Sequence, residues 1–110
     1  MSDIIDRAVF SELQATAGAD FVVELVNTFF EEAPQMIAEL RAAQTAGATE
    51  RFRRGAHSLK TNANTFGATR LGAKARELEL GGLPADPAGI DALQALYDEA
   101  AAALKDLSRG

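Results

Sequence analysis

Residues 51–67, RFRRGAHSLKTNANTFG, decide how the chain should fold. Successive residues of an α-helix turn by about 100°, and on that spacing the apolar residues of this stretch form one narrow stripe. The stripe consists of Phe52, Ala56, Leu59, Ala63 and Phe66. The pattern predicts an amphipathic helix with this stripe facing a hydrophobic core.

His57 is the only histidine of the chain, and it lies about 140° from the stripe, on the predicted solvent side. Arg53, Lys60 and Asn64 project from the same side, with Thr61 one turn above. A neutral exposed imidazole keeps a lone pair on one ring nitrogen and can act as a nucleophile. Lys60 and Arg53 would offer charge, and Asn64 a hydrogen bond, to a phosphoryl group there. The residues alone leave open that His57 is an ordinary surface histidine.

Glycine and proline residues divide the rest of the chain into further helical segments. The apolar periodicity predicts five helices in all, over about 7–16, 20–45, 49–67, 69–80 and from 86–87 onward. Asp6 and Thr49 are predicted N-caps, and the pair Asp86-Pro87 opens the last helix. Pro34 should kink or break the second helix.

Short connections between consecutive long helices favour antiparallel neighbours, and no strand pattern competes. We therefore expect an all-α fold: an up-and-down antiparallel four-helix bundle with a short additional N-terminal helix. The 110 residues have the size of one domain, predicted to span 1–110. A bundle that buries its own core is expected to be a monomer.

Composition excludes several classes of protein. The chain has no cysteine, which rules out disulfide scaffolds, thiolate zinc sites and thiol nucleophiles. No apolar run approaches the roughly 20 residues that a bilayer span needs. The N-terminus, Met1-Ser2-Asp3, opens with an acid rather than with a basic and then apolar signal region. A cytoplasmic protein is the default expectation.

Charge is divided unevenly along the chain. The net charge is −5, yet residues 51–76 hold seven bases and no acid, against four bases and sixteen acids elsewhere. This basic segment contains His57. It predicts electrostatic attraction to an acidic partner surface near the histidine.

The segment around His57 resembles histidine phosphotransfer (HPt) domains, and the similarity covers nearly the full length. The residues that carry it are Ala56-His57-Ser58-Leu59-Lys60, then Phe66-Gly67-Ala68, Leu71 and Leu78-Glu79, with Phe29-Phe30-Glu31-Glu32-Ala33-Pro34 and Leu40 upstream. The resemblance implies a phosphoryl carrier of two-component phosphorelays rather than an enzyme.

The resemblance also implies roles for particular residues. His57 would accept the phosphoryl group, Lys60 would lie beside it, and Gly67 would end the site helix. The partners would be receiver domains of response regulators or a hybrid sensor histidine kinase, and the receiver would supply the aspartate and Mg²⁺. No nucleotide, metal or other cofactor is expected on this chain. Thr61 departs from the family, which usually has glycine there; it would either narrow the approach of a partner or add a hydroxyl contact.

Partner docking is predicted to involve residues around the site. The candidates are Thr61, Arg54, Phe30, Ile5 and Arg76, with Ile4 beside Ile5. Core packing is the alternative for the apolar ones.

Three other functions compete. A metal-binding bundle lacks converging ligands, since there is one histidine and no Glu-x-x-His pattern. A hydrolase with His57 as base lacks an orienting acid within residues 51–76, and Ser58 points about 100° away. A non-catalytic interaction module or a nucleic-acid binder would use the basic surface, but one tyrosine, no tryptophan and an acidic remainder argue against nucleic acid.

Overall fold

The computed structural model describes residues 4–108, and over that range the chain is entirely helical, without strands. The helices are α1 (Arg7–Ala17), α2 (Ala19–Ala46), α3 (Thr49–Thr65), α4 (Thr69–Leu80) and α5 (Ala88–Ser108). The all-α prediction is confirmed, and each predicted helix exists within a few residues of its expected bounds. Residues 1–3, from which the absence of a signal region was inferred, lie outside the described range.

The apolar stripes predicted from the sequence form the core. α3 packs between α2 and α4, α5 packs against α2 and α4, and α1 lies on α2 and α3. All five residues of the predicted stripe are buried, four in α3 and Phe66 directly after it, and no charged side chain is buried in the described chain. None of the helices within residues 4–108 is both long and apolar enough to span a membrane.

A tight contact joins the start of α1 to the end of α3. The Asp6 carboxylate caps α1 by accepting hydrogen bonds from the backbone N–H groups of Ala8 (3.0 Å) and Val9 (3.4 Å), as predicted. The Asp6 N–H donates to the Gly67 carbonyl at 2.7 Å. Gly67 has φ +80°, and a Cβ there would lie 2.7 Å from the Asp6 carbonyl oxygen. Only glycine fits this position.

Pro34 does not break α2, which runs without interruption from Ala19 to Ala46. The missing proline N–H removes one hydrogen bond, but Pro34 is exposed and the residues around it are held in the core. Phe29, Ala33 and Ile37 are all buried on the core-facing side of the helix. Burial on both sides of the proline therefore outweighs the lost bond.

The prediction that Thr49 caps α3 is wrong by one residue. The cap position is Ala48, which has no capping side chain, and Thr49 is already helical. Gly47 ends α2 in the left-handed conformation, and the Ala48 N–H then bonds back to the Ala43 carbonyl at 2.9 Å. This turn starts α3 earlier than the sequence suggests.

The last helix begins at Ala88, one residue later than the pair Asp86-Pro87 predicts. The Asp86 carboxylate accepts from the Ala88 N–H at 2.9 Å, and the Asp91 N–H donates to the Pro87 carbonyl at 2.8 Å. A carboxylate before a proline in the first turn is a common start for a helix.

Candidate functional site

His57 lies on the solvent side of α3, with 55% of its side chain exposed. Its neighbours in sequence, Ala56 and Leu59, are fully buried, so the core stripe holds the histidine outward. The exposure inferred from the helical pattern is therefore confirmed.

A carboxylate from the next helix contacts the imidazole. The His57 Nδ1 lies 2.6 Å from Glu79 Oε2, and the Lys60 ammonium donates to Glu79 Oε1 at 2.9 Å. The Glu79 side chain is only 10% exposed. Helices α3 and α4 therefore bring together a histidine, a lysine and a glutamate in one hydrogen-bonded group.

The ionisation of Glu79 determines which nitrogen of His57 carries the proton in this group. Hydrogen bonds from Lys60, and then from His57, hold the Glu79 pKa below its ordinary value of 4.5, against the opposing effect of burial. An ionised carboxylate only accepts hydrogen bonds, so Nδ1 of His57 must carry the proton in this contact. In the neutral ring the lone pair is then on Nε2, the nitrogen away from Glu79.

A shallow cavity opens beside the ring. Its volume is about 320 Å³, and it is lined by Arg53, Arg54, His57, Ser58 and Glu79. Helical side chains lean toward the N-terminus of their helix, so the ring of His57 lies over the preceding turn. The open space next to the imidazole is therefore bordered by arginines.

Two cations predicted beside a phosphoryl group already have carboxylate partners. Lys60 is bound to Glu79, and Arg53 forms two hydrogen bonds with Glu50, one of them from Nε at 3.4 Å. The bond from Arg53 lowers the pKa of the Glu50 carboxyl. Both cations lie near His57, but neither is unpaired.

Asn64 is on the predicted face but not in the cavity. Two helical turns, about 10 Å, separate it from His57 along α3. Its amide packs over Gly72 of α4 so closely that a Cβ at that position would collide with it. Nothing in this geometry directs the Asn64 amide toward the imidazole.

Thr61 leans back onto α3. Its hydroxyl donates to the His57 carbonyl at 3.1 Å, and Thr65 makes the same kind of bond to the Thr61 carbonyl at 3.0 Å. Such bonds satisfy the hydroxyl within the helix. Thr61 is exposed beside the histidine but does not line its cavity.

The predicted docking residues divide into two groups. Ile5 is buried, so it belongs to the core and is not open to a partner; the Asp6–Gly67 contact draws its segment inward. Ile4 and Phe30 are partly buried against the same core. Arg54 and Arg76 are exposed.

Glu79 was not predicted as a partner of His57. It lies 22 residues from the histidine, just beyond the acid-free segment that ends at residue 76. A signal was present: Leu71, Ala75 and Leu78 form the buried face of α4, and Glu79 follows directly at the border of that face.

A histidine–carboxylate pair could also orient a general base, but a hydrolase needs a nucleophile at the other ring nitrogen. Among residues 4–108 no hydroxyl is hydrogen-bonded to Nε2 of His57, and that of Thr61 bonds the backbone instead. The described residues also contain no group of three or more potential metal ligands.

Comparison with known proteins assigns the chain to a family. The family model of the Hpt domain matches residues 24–103, well over half of the chain. The chain belongs to the Hpt domain family. No curated protein and no solved structure matches it.

Hpt domains are helical bundles that take part in phosphotransfer in two-component phosphorelays. They interact there with receiver domains and kinases, and they generally act as phosphoryl carriers rather than enzymes. The matched range includes His57, Lys60 and Glu79, and thus the whole hydrogen-bonded group of this Hpt domain.

Proposed function

We propose that this Hpt domain accepts a phosphoryl group on Nε2 of His57 from the aspartyl phosphate of a receiver domain, or from a kinase, and passes it to another response regulator. The observation that carries the proposal is the contact of Nδ1 with Glu79. It orients the ring and leaves Nε2 as the nucleophile, on a histidine whose side chain is more than half exposed.

The chemical step needs little from this chain beyond that nucleophile. The Nε2 lone pair attacks phosphorus, and the P–N bond forms as the bond from phosphorus to the receiver's aspartate oxygen breaks. The aspartate leaves as a free carboxylate. The ring becomes positively charged while Nδ1 keeps its proton, and the Glu79 carboxylate stabilises that charge. Reversal of the same step returns the group to a receiver.

Lys60 has a double role in this proposal. It holds one oxygen of Glu79, and its ammonium lies one turn from His57, where it offsets part of the phosphoryl charge. The receiver would supply Mg²⁺, so no cofactor is assigned to this chain. Nucleic acid is not proposed as a partner.

We further propose the up-and-down arrangement for α2 to α5, in one domain that acts as a monomer. Two contacts between α2 and α3 support opposite directions for that pair. Phe29 packs on Phe66 with ring centroids 5.2 Å apart, and Gly55 approaches Leu40, so that a Cβ on it would lie 3.0 Å from Leu40 Cδ2. Later residues of α2 thus meet earlier residues of α3.

The test is transfer of radioactive phosphate from phosphorylated receiver domains. We expect label on the wild-type chain, stable in alkali and labile in acid, as a phosphoramidate is. The His57→Gln variant should take up no label while its helical circular dichroism is unchanged, because His57 lies off the core stripe.

Ser58→Ala is the matched control, since it changes the adjacent exposed residue and should still be labelled. Label retained in His57→Gln would overturn the proposal. If no receiver transfers label and a short duplex binds at physiological salt instead, the nucleic-acid alternative would be favoured.

A further inference from the structure

Arg54 differs from the other cations near His57 because, among residues 4–108, it contacts a carboxylate only at long range. Its only ion pair there is with Glu50, with 3.8 Å between Arg54 Nε and Glu50 Oε1. Its side chain is 75% exposed. An arginine has five N–H donors in a planar fork that fits a phosphoryl group. In Arg54 these donors are available.

The other two cations near His57 already form hydrogen bonds with carboxylates. Lys60 donates to Glu79, and Arg53 holds Glu50 through two hydrogen bonds. To bind a phosphoryl group, either would have to leave a carboxylate that it contacts directly. Arg54 would give up only a long contact.

Position also favours Arg54. It borders the cavity beside the His57 ring, and it borders a second groove between α2 and α3 as well. Because a helical side chain leans toward the N-terminus of its helix, the ring of His57 lies over the turn that contains Arg53 and Arg54. Thr61, on the following turn, does not line this cavity.

The balance of charges around His57 also points to Arg54. Three cations, Arg53, Arg54 and Lys60, lie around the site with two carboxylates, Glu50 and Glu79. Without Arg54 the two signs would balance. A phosphoryl group adds about −1.5 to −2 near pH 7. The imidazolium formed on transfer offsets part of this charge, and Arg54 is the cation without a closely bound carboxylate that can offset the rest.

We propose that Arg54 is the phosphoryl-binding residue of this chain, and that Glu50 competes with the phosphoryl group for it. In the unphosphorylated chain Glu50 holds Arg54 loosely; after transfer, the guanidinium moves to the phosphoryl oxygens on Nε2. This inference rests on the proposed function, and it assigns to Arg54 the contact that the sequence suggested for Arg53 and Asn64.

The test uses the full chain phosphorylated on His57 and freed of its phosphodonor, so that contacts with a receiver cannot contribute. The acid-dissociation constant of the phosphoryl group is measured by ³¹P NMR titration in wild type, Arg54→Ala, Arg54→Lys and Arg7→Ala. Arg7 is an exposed arginine of α1 outside the cavity, so its variant controls for the loss of one charge.

A bound guanidinium favours the dianion. We therefore expect Arg54→Ala to lower the dissociation constant by about fivefold, as for an exposed ion pair, with Arg54→Lys in between and Arg7→Ala near wild type. Glu50→Gln should raise the constant, and the rise should be smaller when Arg54→Ala is combined with it; the part that remains is due to the lost Glu50 charge and to Arg53, which Glu50→Gln also releases. Circular dichroism checks that each variant is folded.

Equal constants for Arg54→Ala and Arg7→Ala would overturn the assignment of Arg54 and leave the phosphoryl carrier intact. So would a slower transfer from the receiver with an unchanged constant, because Arg54 would then contact the partner and not the phosphoryl group. If wild type takes up no phosphate on His57, the proposed function fails, and this inference fails with it.

Discussion

At the scale of single residues, the contact between Glu79 and Nδ1 leaves the lone pair of the neutral His57 ring on Nε2, the nitrogen that we propose as the phosphoryl acceptor. Glu79→Ala should slow phosphorylation of His57 by about tenfold, since the ring loses its orienting acceptor and the tautomer with the proton on Nε2 becomes accessible. Glu79→Gln keeps an acceptor oxygen and should lose less. The rates are measured by label uptake, and the tautomer by ¹⁵N NMR of the ring. Equal rates in all three chains would mean that the contact has no part in transfer.

Stability should depend on pH through the same residue. The Glu79 pKa is lowered in the folded chain, so its favourable contribution is complete above the ordinary value of 4.5 and is lost as the pH falls through the lower, folded value. Wild type should therefore exceed Glu79→Ala in stability at about pH 6, and the difference should shrink by about pH 3. Urea denaturation of both chains at the two pH values measures this. A difference that grows on acidification would contradict the ion pair.

Features of the site that depend on a single helix could be predicted from the sequence, whereas contacts between helices could not. The exposure of His57 follows from one helix alone, because its apolar stripe leaves only one side for the histidine. The pairing with Glu79 joins two helices, and the sequence of neither helix alone predicts how the two pack together. The pairing of Lys60 with Glu79 was missed for the same reason. Arg53 pairs with Glu50 of its own helix, three residues before it, and that local pair was not considered. The burial of Ile5 accompanies the contact of Asp6 with Gly67.

At the scale of elements, the turn between α3 and α4 relies on Gly67. Gly67→Ala should destabilise the fold by about 2–4 kcal/mol, from its positive φ and from the collision with the Asp6 carbonyl. Gly82→Ala is the matched control: Gly82 has φ +76° but open space around it, so about 1–2 kcal/mol is expected. Denaturant unfolding of both variants tests this, and equal losses would mean that the contact with Asp6 adds nothing.

The helices themselves were largely predictable because each buries one regular stripe. Local rules were overridden where they met the tertiary fold. Of the two outcomes predicted for Pro34, a kink or a break, the break does not occur, because the buried residues on either side of it keep α2 continuous. Thr49 has the chemistry of an N-cap, yet the left-handed turn at Gly47 starts α3 one residue earlier.

At the scale of the whole molecule, the basic segment is less positive in effect than its composition suggests. Its charge is partly neutralised by acids of other segments: Glu39 pairs with Arg51 at 3.0 Å, and Glu79 with Lys60 at 2.9 Å. Within the basic segment, Arg76 has no ion pair among the described residues, and Arg54 has only the long contact with Glu50. We therefore expect attraction of an acidic receiver to depend on a few exposed arginines of this segment.

Ionic strength should therefore change the rate at which the receiver and this chain associate more than the rate of the phosphoryl-transfer step. Raising the ionic strength from about 0.05 to 0.5 M should lower the second-order rate constant for transfer from a receiver several-fold, by screening. The rate at saturating receiver should change little. Transfer reactions quenched at successive times, at several receiver concentrations, give the second-order rate constant and the rate at saturating receiver separately. A second-order constant independent of salt would remove the electrostatic role of this surface.

The most direct measurement for the whole account is the position of the phosphoryl group. The chain is phosphorylated by a receiver domain, and ³¹P and ¹⁵N NMR locate the bond on the intact protein. We predict a single phosphoramidate on Nε2 of His57, with Nδ1 still protonated beside Glu79. Phosphate on Nδ1, on any other residue, or on no residue of the chain would contradict the account.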